Sequence, residues 1–457
     1  MNRIWQPLAA AIILAFQLLV PPPIGLASNG DFGKMLGIFD LAAPAEDENR
    51  YADIHYTFDP THHYETGVYS TETLLIPLAI ALNSVVAKPG AFDLRWIGVV
   101  HGTLFLAALL LLQPVLALIS KGRRIAVSLA ILFVFCDVMY ASILNSFYMD
   151  AAAFLFLLLM AVMYLRASLW RRKTDAIWFV VFAILMIASK TQHAVLGFWL
   201  AALTAWSGVR LHGRTFATVS TLAVLAATLA CLRSISPEYP VRGVFSAIFY
   251  QVLPNTRDPT AALHDLGLDE SYRRYIGKHA YSEGVDLEAP ALHTDFSSKT
   301  SYRRLAWYFL THPRDAYLAL DVSLAQAGRQ RPFLGNYDRN ANFPPGAESH
   351  AFSFWSDIKA SLFYEHGTRY LIAWVALAVA ACLLSRNAGA LMLAALALTA
   401  MLVAALADAV DVPRHHFLSN ALFDMLAVTA LNSGIVELPL ANRMLVPLRY
   451  WIGRSIS

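Results

Sequence analysis

A short acidic motif, Asn29-Gly30-Asp31-Phe32-Gly33, follows the first apolar run of the chain. Its two glycines permit a tight turn and a close approach of the backbone. The motif places the Asp31 carboxylate at the boundary between water and lipid, where a carboxylate is suited to take a proton from a substrate hydroxyl. Asp31 is therefore the candidate catalytic base. The alternative is a turn aspartate that caps the next helix.

Three other polar turns share a feature with this motif: each falls where an apolar run ends. Ionisable residues at membrane depth are costly and usually functional. The alternative for each turn is an ordinary solvent-exposed loop without a functional role. The candidate substrate-binding residues on these turns are Asn145, Tyr148 and Asp150, then Lys190, Gln192 and His193, then Arg414, His415 and His416, with Asp408 and Asp411 beside the last group.

The chemistry that suits these residues is attack by a sugar hydroxyl on an activated sugar. Asp31 supplies the base, with Asp53 and Asp150 in reserve. A lipid phosphate as leaving group needs cations rather than a general acid, and Lys190 and Arg414 are suited to that role. The histidines at 193, 415 and 416 can donate hydrogen bonds to phosphate or sugar. Alternatively, Arg414 reaches lipid headgroups or pairs with Asp408 or Asp411.

Composition identifies the environment of the chain. Of its 457 residues 57% are hydrophobic and only 15% are charged, whereas soluble domains average about 25% charged. The excess apolar surface must therefore face lipid. The net charge of +3 is too small to indicate a nucleic-acid partner. Residues 1–28 are either a cleaved signal peptide or a first span, and a span is favoured because further spans follow.

Windows of about 20 apolar residues predict an all-α polytopic membrane protein with ten spans, near 5–26, 96–119, 125–144, 151–165, 176–189, 194–209, 215–233, 369–385, 388–407 and 417–436. Lys and Arg follow every second boundary, which predicts that both termini are cytoplasmic and that loops 27–95 and 234–368 are external. Residues 71–87 are predicted to lie in the interface or to re-enter the membrane.

This topology divides the chain into three predicted parts. Residues 1–234 form an N-terminal transmembrane module, 235–368 a mostly helical external domain, and 369–457 the C-terminal spans with a cytoplasmic tail. It also gathers the four polar turns on the outer face. The external loops contain no GxSxG, HExxH or phosphate-binding P-loop motif.

The first external loop raises the question of a metal site. It contains His55, His62, His63 and Glu65, residue types that bind zinc or hard divalent ions. Their spacing matches no metal motif, so no metal or other cofactor is predicted. The alternative is a divalent ion held in this loop.

The order of elements in the chain resembles the GT-C superfamily of polyprenyl-phosphate-sugar-dependent glycosyltransferases. The chain has one span, then an acidic residue that opens a long external loop with a membrane-lying helix, and then many spans. Within the superfamily, four motifs are similar to bacterial glycan-biosynthesis hexose transferases of the WsfD type. They are Asn29-Gly30-Asp31-Phe32-Gly33, Asn145-Ser146-Phe147-Tyr148, Arg331-Pro332-Phe333-Leu334-Gly335-Asn336-Tyr337 and Arg414-His415-His416-Phe417-Leu418.

The resemblance implies an inverting transfer of a hexose from a polyprenyl-phosphate donor to an extracytoplasmic glycan or lipid-linked glycan acceptor. It assigns Asp31 as the base and places the chain in a bacterial cytoplasmic membrane, with the site facing the periplasm. Many members carry paired acidic residues where this chain has Asp31 alone. Metal coordination by such a pair is therefore not carried over.

Two other classes of function remain open from the sequence. A transporter or flippase for a lipid-linked glycan would also use cations on one face, and it predicts charged residues at mid-membrane depth and repeated halves. A noncatalytic scaffold of a glycan assembly complex is the third alternative.

Overall fold

The computed structural model describes residues 4–44, 50–62, 64, 69–329, 331, 334–385, 388–407 and 409–435. Several predictions concern residues outside these ranges: the possible metal ligands His63 and Glu65, the Arg414 partner Asp408, Pro332 and Phe333 of the third motif, and both termini.

Helices make up most of the described chain. They are α1 (Trp5–Leu18), α2 (Gly33–Leu36), α3 (Ile76–Val86), α4 (Arg95–Leu116), α5 (Lys121–Phe135), α6 (Val138–Leu144), α7 (Asp150–Trp170), α8 (Lys173–Ile187), α9 (Leu196–Leu211), α10 (Arg214–Arg233), α11 (Glu238–Ser246), α12 (Pro259–Asp265), α13 (Pro290–Lys299), α14 (Tyr302–Thr311), α15 (Pro313–Ala327), α16 (Phe354–Phe363), α17 (Gly367–Ser385), α18 (Ala388–Leu406), α19 (Val412–His415) and α20 (Phe417–Ile435).

Five helices in the described residues are long and apolar enough to cross a membrane: α4, α7, α10, α17 and α18. A sixth span results if α5 and α6 are counted together, although they are bent by 60° at Cys136 and Asp137. Asp137 accepts the Met139 N–H and thereby starts a new helix. The chain is thus a multi-pass membrane protein.

The prediction of ten full spans is not confirmed, although a helix lies at each of the ten positions. Three of the others, α1, α8 and α9, have only 14, 15 and 16 residues. At about 1.5 Å per residue, 16 residues reach about 24 Å, short of a core of about 30 Å. The predicted first span, 5–26, ends as a helix at Leu18 because three consecutive prolines follow at 21–23 and cannot continue it.

The first loop contains a small antiparallel sheet, which corrects the all-α prediction. Its strands are β1 (Leu41–Ala42), β2 (His55–Phe58) and β3 (Ala91–Asp93), in that order. Leu41 lies opposite Phe58, and His55 lies opposite Asp93. The sheet joins the two ends of the loop.

The predicted interfacial segment 71–87 consists of a 3₁₀ turn, Thr71–Leu74, followed by α3. Leu78, Leu82 and Val85 are exposed on α3, an apolar stripe at helical spacing that suits contact with lipid. At the start of the segment, Glu72 is fully buried. The amphipathic part is therefore anchored to the bundle by its first turn.

The described residues form two hydrophobic cores. The larger core runs through the membrane helices and includes Leu324 and Ala327 of α15, which packs against α17 and α18. The smaller core is built entirely from residues between Val244 and Tyr308. The segment 235–368 thus contributes a separate core and also a helix of the main bundle. Its assignment as an external domain stays a prediction.

Candidate active site

The turn that carries Asp31 is held by its own side chains. Ser28 Oγ accepts the N–H groups of Gly30 (3.1 Å) and Phe32 (3.4 Å). Gly30 has a φ of 98°, which L residues rarely adopt. A Cβ on Gly33 would lie 2.8 Å from the Tyr64 ring. Both expectations about the glycines, a tight turn and a close approach, are confirmed.

Arg414 lies at the centre of the site. Its guanidinium pairs with Asp31, places Nε 2.6 Å from Asp411 Oδ2, and brings Nη1 to 3.9 Å from Asp150 Oδ2. The guanidinium carbon lies 4.9 Å from the centre of the Tyr148 ring. The side chain of Arg414 is only 5% exposed. Three polar turns far apart in sequence therefore meet at one arginine.

Two lysines complete this arrangement. Lys34, one turn after Asp31, forms an ion pair with that carboxylate. Lys190 Nζ lies 3.1 and 3.2 Å from the two oxygens of Asp150. We call the set the Arg414 cluster; it contains Asp31, Lys34, Tyr148, Asp150, Lys190, Asp411 and Arg414.

The Arg414 cluster is balanced in formal charge. Among the residues that the structure describes, its three carboxylates face two ammonium groups and one guanidinium. Each charge is taken out of water and so needs a partner. Asp150 also lies at the N-terminus of α7, where the helix dipole favours a negative charge. An incoming anion that binds one of these paired cations therefore competes with its carboxylate.

The electrostatics of Asp31 follow from its two partners. Burial is the largest influence on the pKa of the Asp31 carboxyl and alone would raise it, but the charges of Arg414 and Lys34 together outweigh burial. They hold the pKa well below its usual range. Asp31 is thus a carboxylate at neutral pH, but a weak base for as long as both cations contact it.

Tyr148 links the Asp31 turn to the Asp411 turn. Its hydroxyl accepts the Asn29 N–H at 3.0 Å and donates to the Ala27 carbonyl at 2.9 Å. The Asn29 amide donates to Asp411 Oδ2 at 2.6 Å. Asp411 has a φ of 50°, an uncommon left-handed conformation for a non-glycine residue and one that is often found at functional sites.

The remaining predicted residues lie around the cluster. Gln192 donates to the His415 carbonyl at 3.0 Å and so joins two of the turns. His193 Nδ1 lies 3.2 Å from Ser189 Oγ, and His416 lies 3.0 Å from Ser323 and from Ser419. Burial, which is the main cause, lowers the pKa of both histidines to about 3. They are therefore neutral at physiological pH.

Asn145 and Asp53 lie outside the contacts of the cluster. Asn145 donates to the carbonyls of Leu18 and Ile24 at 2.9 and 3.0 Å, which fixes the chain that leaves α1. Asp53, a reserve base in the sequence analysis, forms two bonds of 2.6 and 2.8 Å with Arg339. The structure thus uses these two side chains to hold loops together.

The third motif supports the Asp31 turn through its backbone. Gly25 and Asn336 exchange hydrogen bonds, because the Gly25 N–H donates to the Asn336 carbonyl (3.0 Å) and the Asn336 amide donates to the Gly25 carbonyl (2.9 Å). Ala27 N–H donates to the Gly335 carbonyl at 3.1 Å. Residues 335–336 therefore fix the strand-like segment that leads into Asp31.

Sequence reasoning assigned no role to Lys34 and named Asp411 only as an alternative partner of Arg414, a pairing that the structure confirms. A signal was present, since each lies three residues from the charged residue that it pairs with, Asp31 and Arg414 respectively, and such spacing brings side chains together on one helical turn. No group of three or more His, Cys, Asp or Glu side chains suited to a metal ion occurs in the part of the chain that is described.

A family model decides the relationship of the chain to known proteins. The model of the YfdI N-terminal transmembrane domain matches residues 4–445.

The chain belongs to the YfdI N-terminal transmembrane domain family.

The YfdI family is a GT-C-like glycosyltransferase family, so the resemblance at superfamily level is confirmed. A YfdI-family membrane domain fits a membrane glycosyltransferase in its broad class. No curated protein and no solved structure matches the chain.

Proposed function

We propose that this YfdI-family protein is an inverting hexosyltransferase that uses a polyprenyl-phosphate sugar and modifies an extracytoplasmic glycan or lipid-linked glycan. The observation that carries the proposal is the state of Arg414. Its Nη1 is buried and has no hydrogen-bond partner within the described ranges. An unsatisfied buried donor on a charged group is costly, and a phosphate oxygen would satisfy it.

In the proposed reaction the acceptor hydroxyl oxygen attacks the anomeric carbon of the hexose from the face opposite the phosphate. The new bond forms as the bond between that carbon and the phosphate oxygen breaks, and the polyprenyl phosphate leaves with the electron pair. Asp31 takes the hydroxyl proton. Arg414 and Lys190 stabilise the negative charge that develops on the leaving oxygen.

Competition for Arg414 connects donor binding to the base. When the donor phosphate binds Arg414, Asp31 loses the partner that most strongly lowers its pKa. Its pKa then rises, and with it its strength as a base. Asp31 is therefore activated only when the donor is in place, which would limit unproductive proton transfer.

A lipid-linked donor suits the location of this cluster at the ends of membrane helices. We propose that it faces the periplasm of a bacterial inner membrane, where a lipid phosphate can arrive laterally. Nucleotide sugars are made in the cytoplasm, and the sequence has no Gly-rich nucleotide loop after a strand. The WsfD-type assignment belongs to this proposal.

A transporter of lipid-linked glycan is the second candidate, because of one observation. Lys359 and Asp424 form a fully buried ion pair, and Asp424 lies two turns inside α20. Charges inside the bundle are typical of transporters. The glycosyltransferase is favoured because the Lys359–Asp424 pair is enclosed, whereas the Arg414 cluster retains an unsatisfied donor.

The test is a transfer assay with purified protein in lipid nanodiscs, a panel of polyprenyl-phosphate hexoses and, separately, nucleotide hexoses. We expect transfer from the lipid donor alone. Arg414→Ala should raise the apparent KM for that donor and lower turnover, whereas Arg303→Ala, an exposed arginine on α14, should change neither. Activity with nucleotide sugars alone, or unchanged kinetics in Arg414→Ala, would exclude this donor site.

A further inference from the structure

The turn that begins the membrane-lying segment makes an unusual set of buried contacts. Ser70 caps it by accepting the Glu72 N–H at 3.1 Å. Glu72 itself is completely buried. A buried carboxylate requires compensation, so the partners of Glu72 show what the turn holds.

The main side-chain partner of Glu72 is His101 of α4, which is also completely buried. His101 Nε2 lies 2.9 Å from Glu72 Oε1, and Nδ1 lies 2.8 Å from the Leu144 carbonyl oxygen. A carbonyl only accepts, so Nδ1 carries a proton, and the Nε2 proton is shared with the carboxylate. Both ring nitrogens are thereby fixed.

Together these two side chains hold both ends of one segment of the site. His101 donates to the carbonyl of Leu144, and Glu72 Oε2 accepts the N–H of Ala152 at 3.2 Å. Between these two anchors lie Tyr148 and Asp150, which both contact Arg414.

The same turn also holds the segment that precedes Lys190. Ser70 Oγ donates to the Ser189 carbonyl at 2.5 Å, Thr71 N–H donates to the Ala188 carbonyl at 3.2 Å, and Thr71 Oγ1 donates to the Leu185 carbonyl at 3.0 Å. One short turn therefore fixes the backbone on both sides of the Asp150–Lys190 ion pair.

We propose that Glu72 and His101 are positioning residues, which set the place of Tyr148 and Asp150 relative to Arg414 and, through Asp150, that of its partner Lys190. The catalytic consequence of this role rests on the proposed function; the positional role does not. Glu72 and His101 touch neither Arg414 nor Asp31 in the described structure and act only through the segments that they hold. A displacement of about 1 Å in such a site is enough to cost about 10²-fold in rate.

The first arm of the test needs no substrate. Hydrogen–deuterium exchange is measured on purified wild-type, Glu72→Ala, Glu72→Gln and Gln113→Leu proteins in nanodiscs. Gln113→Leu is the matched control, because it removes a buried hydrogen bond to Gln6 from the same helix as His101. Losing a hydrogen bond should speed exchange about tenfold. We expect faster exchange at residues 144–152 for Glu72→Ala alone, because the contacts to residues 185–189 are made by Ser70 and Thr71.

Glu72→Gln should restore slow exchange. Its amide oxygen can accept the Ala152 N–H, and its amide N–H can donate to Nε2 of a neutral His101. Unchanged exchange in Glu72→Ala at 144–152, or equal acceleration there in Gln113→Leu, would overturn the proposal. This arm decides it even if no donor supports transfer.

The second arm uses the transfer assay. We expect kcat to fall about 10²-fold in Glu72→Ala, with the KM for the lipid donor changed much less because Arg414 is intact, and to recover in Glu72→Gln. Gln113→Leu should keep the wild-type kcat per folded molecule. Equal losses in Glu72→Ala and Glu72→Gln would show that charge, not position, matters, and would contradict the proposal. A normal kcat in Glu72→Ala would contradict it as well.

Discussion

The Arg414 cluster and the buried Lys359–Asp424 pair contain the same kinds of charged side chain. They differ in how completely the charged atoms are hydrogen-bonded. In the second region the side chains are at most 1% exposed. Lys359 Nζ donates to Asp424 Oδ1 at 2.8 Å and to Asn420 Oδ1 at 3.1 Å, and Asp424 Oδ2 accepts from Tyr140 and Trp355 at 2.6 and 2.9 Å. Each of the charged atoms is satisfied.

The charged groups of the Arg414 cluster are less completely buried and hydrogen-bonded. Asp31 is 20% exposed and Asp411 is 18% exposed, and the buried Nη1 of Arg414 has no hydrogen-bond partner among the described residues. The comparison teaches that burial of charge alone does not identify a functional site. The Arg414 cluster keeps an unsatisfied donor and partly exposed carboxylates, whereas each charged atom of the Lys359–Asp424 pair has a hydrogen-bond partner.

The largest expected effect is the loss of transfer activity when the Arg414 cluster loses its candidate base. Asp31→Asn nearly preserves shape but cannot accept a proton, and loss of a general base costs about 10² to 10⁴-fold in rate. The variant should express and insert normally and lose transfer. Asp53→Asn is the control carboxylate and should retain transfer. Near-normal turnover in Asp31→Asn would show that Asp31 is not the base and would leave Asp150 as the candidate.

The second prediction concerns the free energy of unfolding when the Lys359–Asp424 pair loses one partner. Lys359→Met leaves Asp424 as an uncompensated buried charge and should destabilise the fold by about 3–5 kcal/mol. Adding Asp424→Leu should restore most of the loss, because a buried pair can be replaced by apolar side chains. Thermal unfolding in nanodiscs measures both. A stable Lys359→Met protein that has lost transfer would assign the pair to the reaction instead.

The smallest effect concerns acid sensitivity at the edge of the Arg414 cluster. The folded-state pKa of His193 and of His416 is lowered to about 3, so the unfolded chain binds more protons below about pH 6.5. Stability should therefore fall on acidification, by about 1.4 kcal/mol per pH unit for each histidine. Asp31 adds almost nothing between pH 7 and pH 5, because its carboxyl is ionised in both the folded and the unfolded chain over that range.

The check is the shift of the unfolding midpoint between pH 7 and pH 5. His193→Asn retains a hydrogen-bonding group near Ser189 and removes one titrating ring, so the acid-induced shift should be smaller than in the wild type. An equal shift in both proteins would show that His193 is not a buried neutral base.

The sequence predicted the positions of the membrane helices and the meeting of four turns, because hydropathy and loop charge depend on composition over long windows. Helix lengths were less predictable, since α1 stops before its prolines and α5 and α6 bend at Asp137. The strands of two to four residues are too short to show an alternating pattern.

Within the site, the glycine turn and Arg414 could be found from local pattern. Glu72 could not, because its partners His101 and Ala152 lie 29 and 80 residues away in sequence. Only the folded bundle brings them together. Asp53 and Asn145 show the converse: both residue types suit a site, but Asp53 binds the Arg339 side chain and Asn145 binds the carbonyls of Leu18 and Ile24.

The most direct test of the central claim is the affinity for a polyprenyl phosphate without a sugar, measured on wild-type, Asp31→Asn and Arg414→Ala proteins. Because phosphate and Asp31 compete for the same guanidinium, the account predicts that Asp31→Asn binds the lipid more tightly than the wild type and that Arg414→Ala binds it more weakly. Weaker binding in Asp31→Asn, or wild-type affinity in Arg414→Ala, would contradict it.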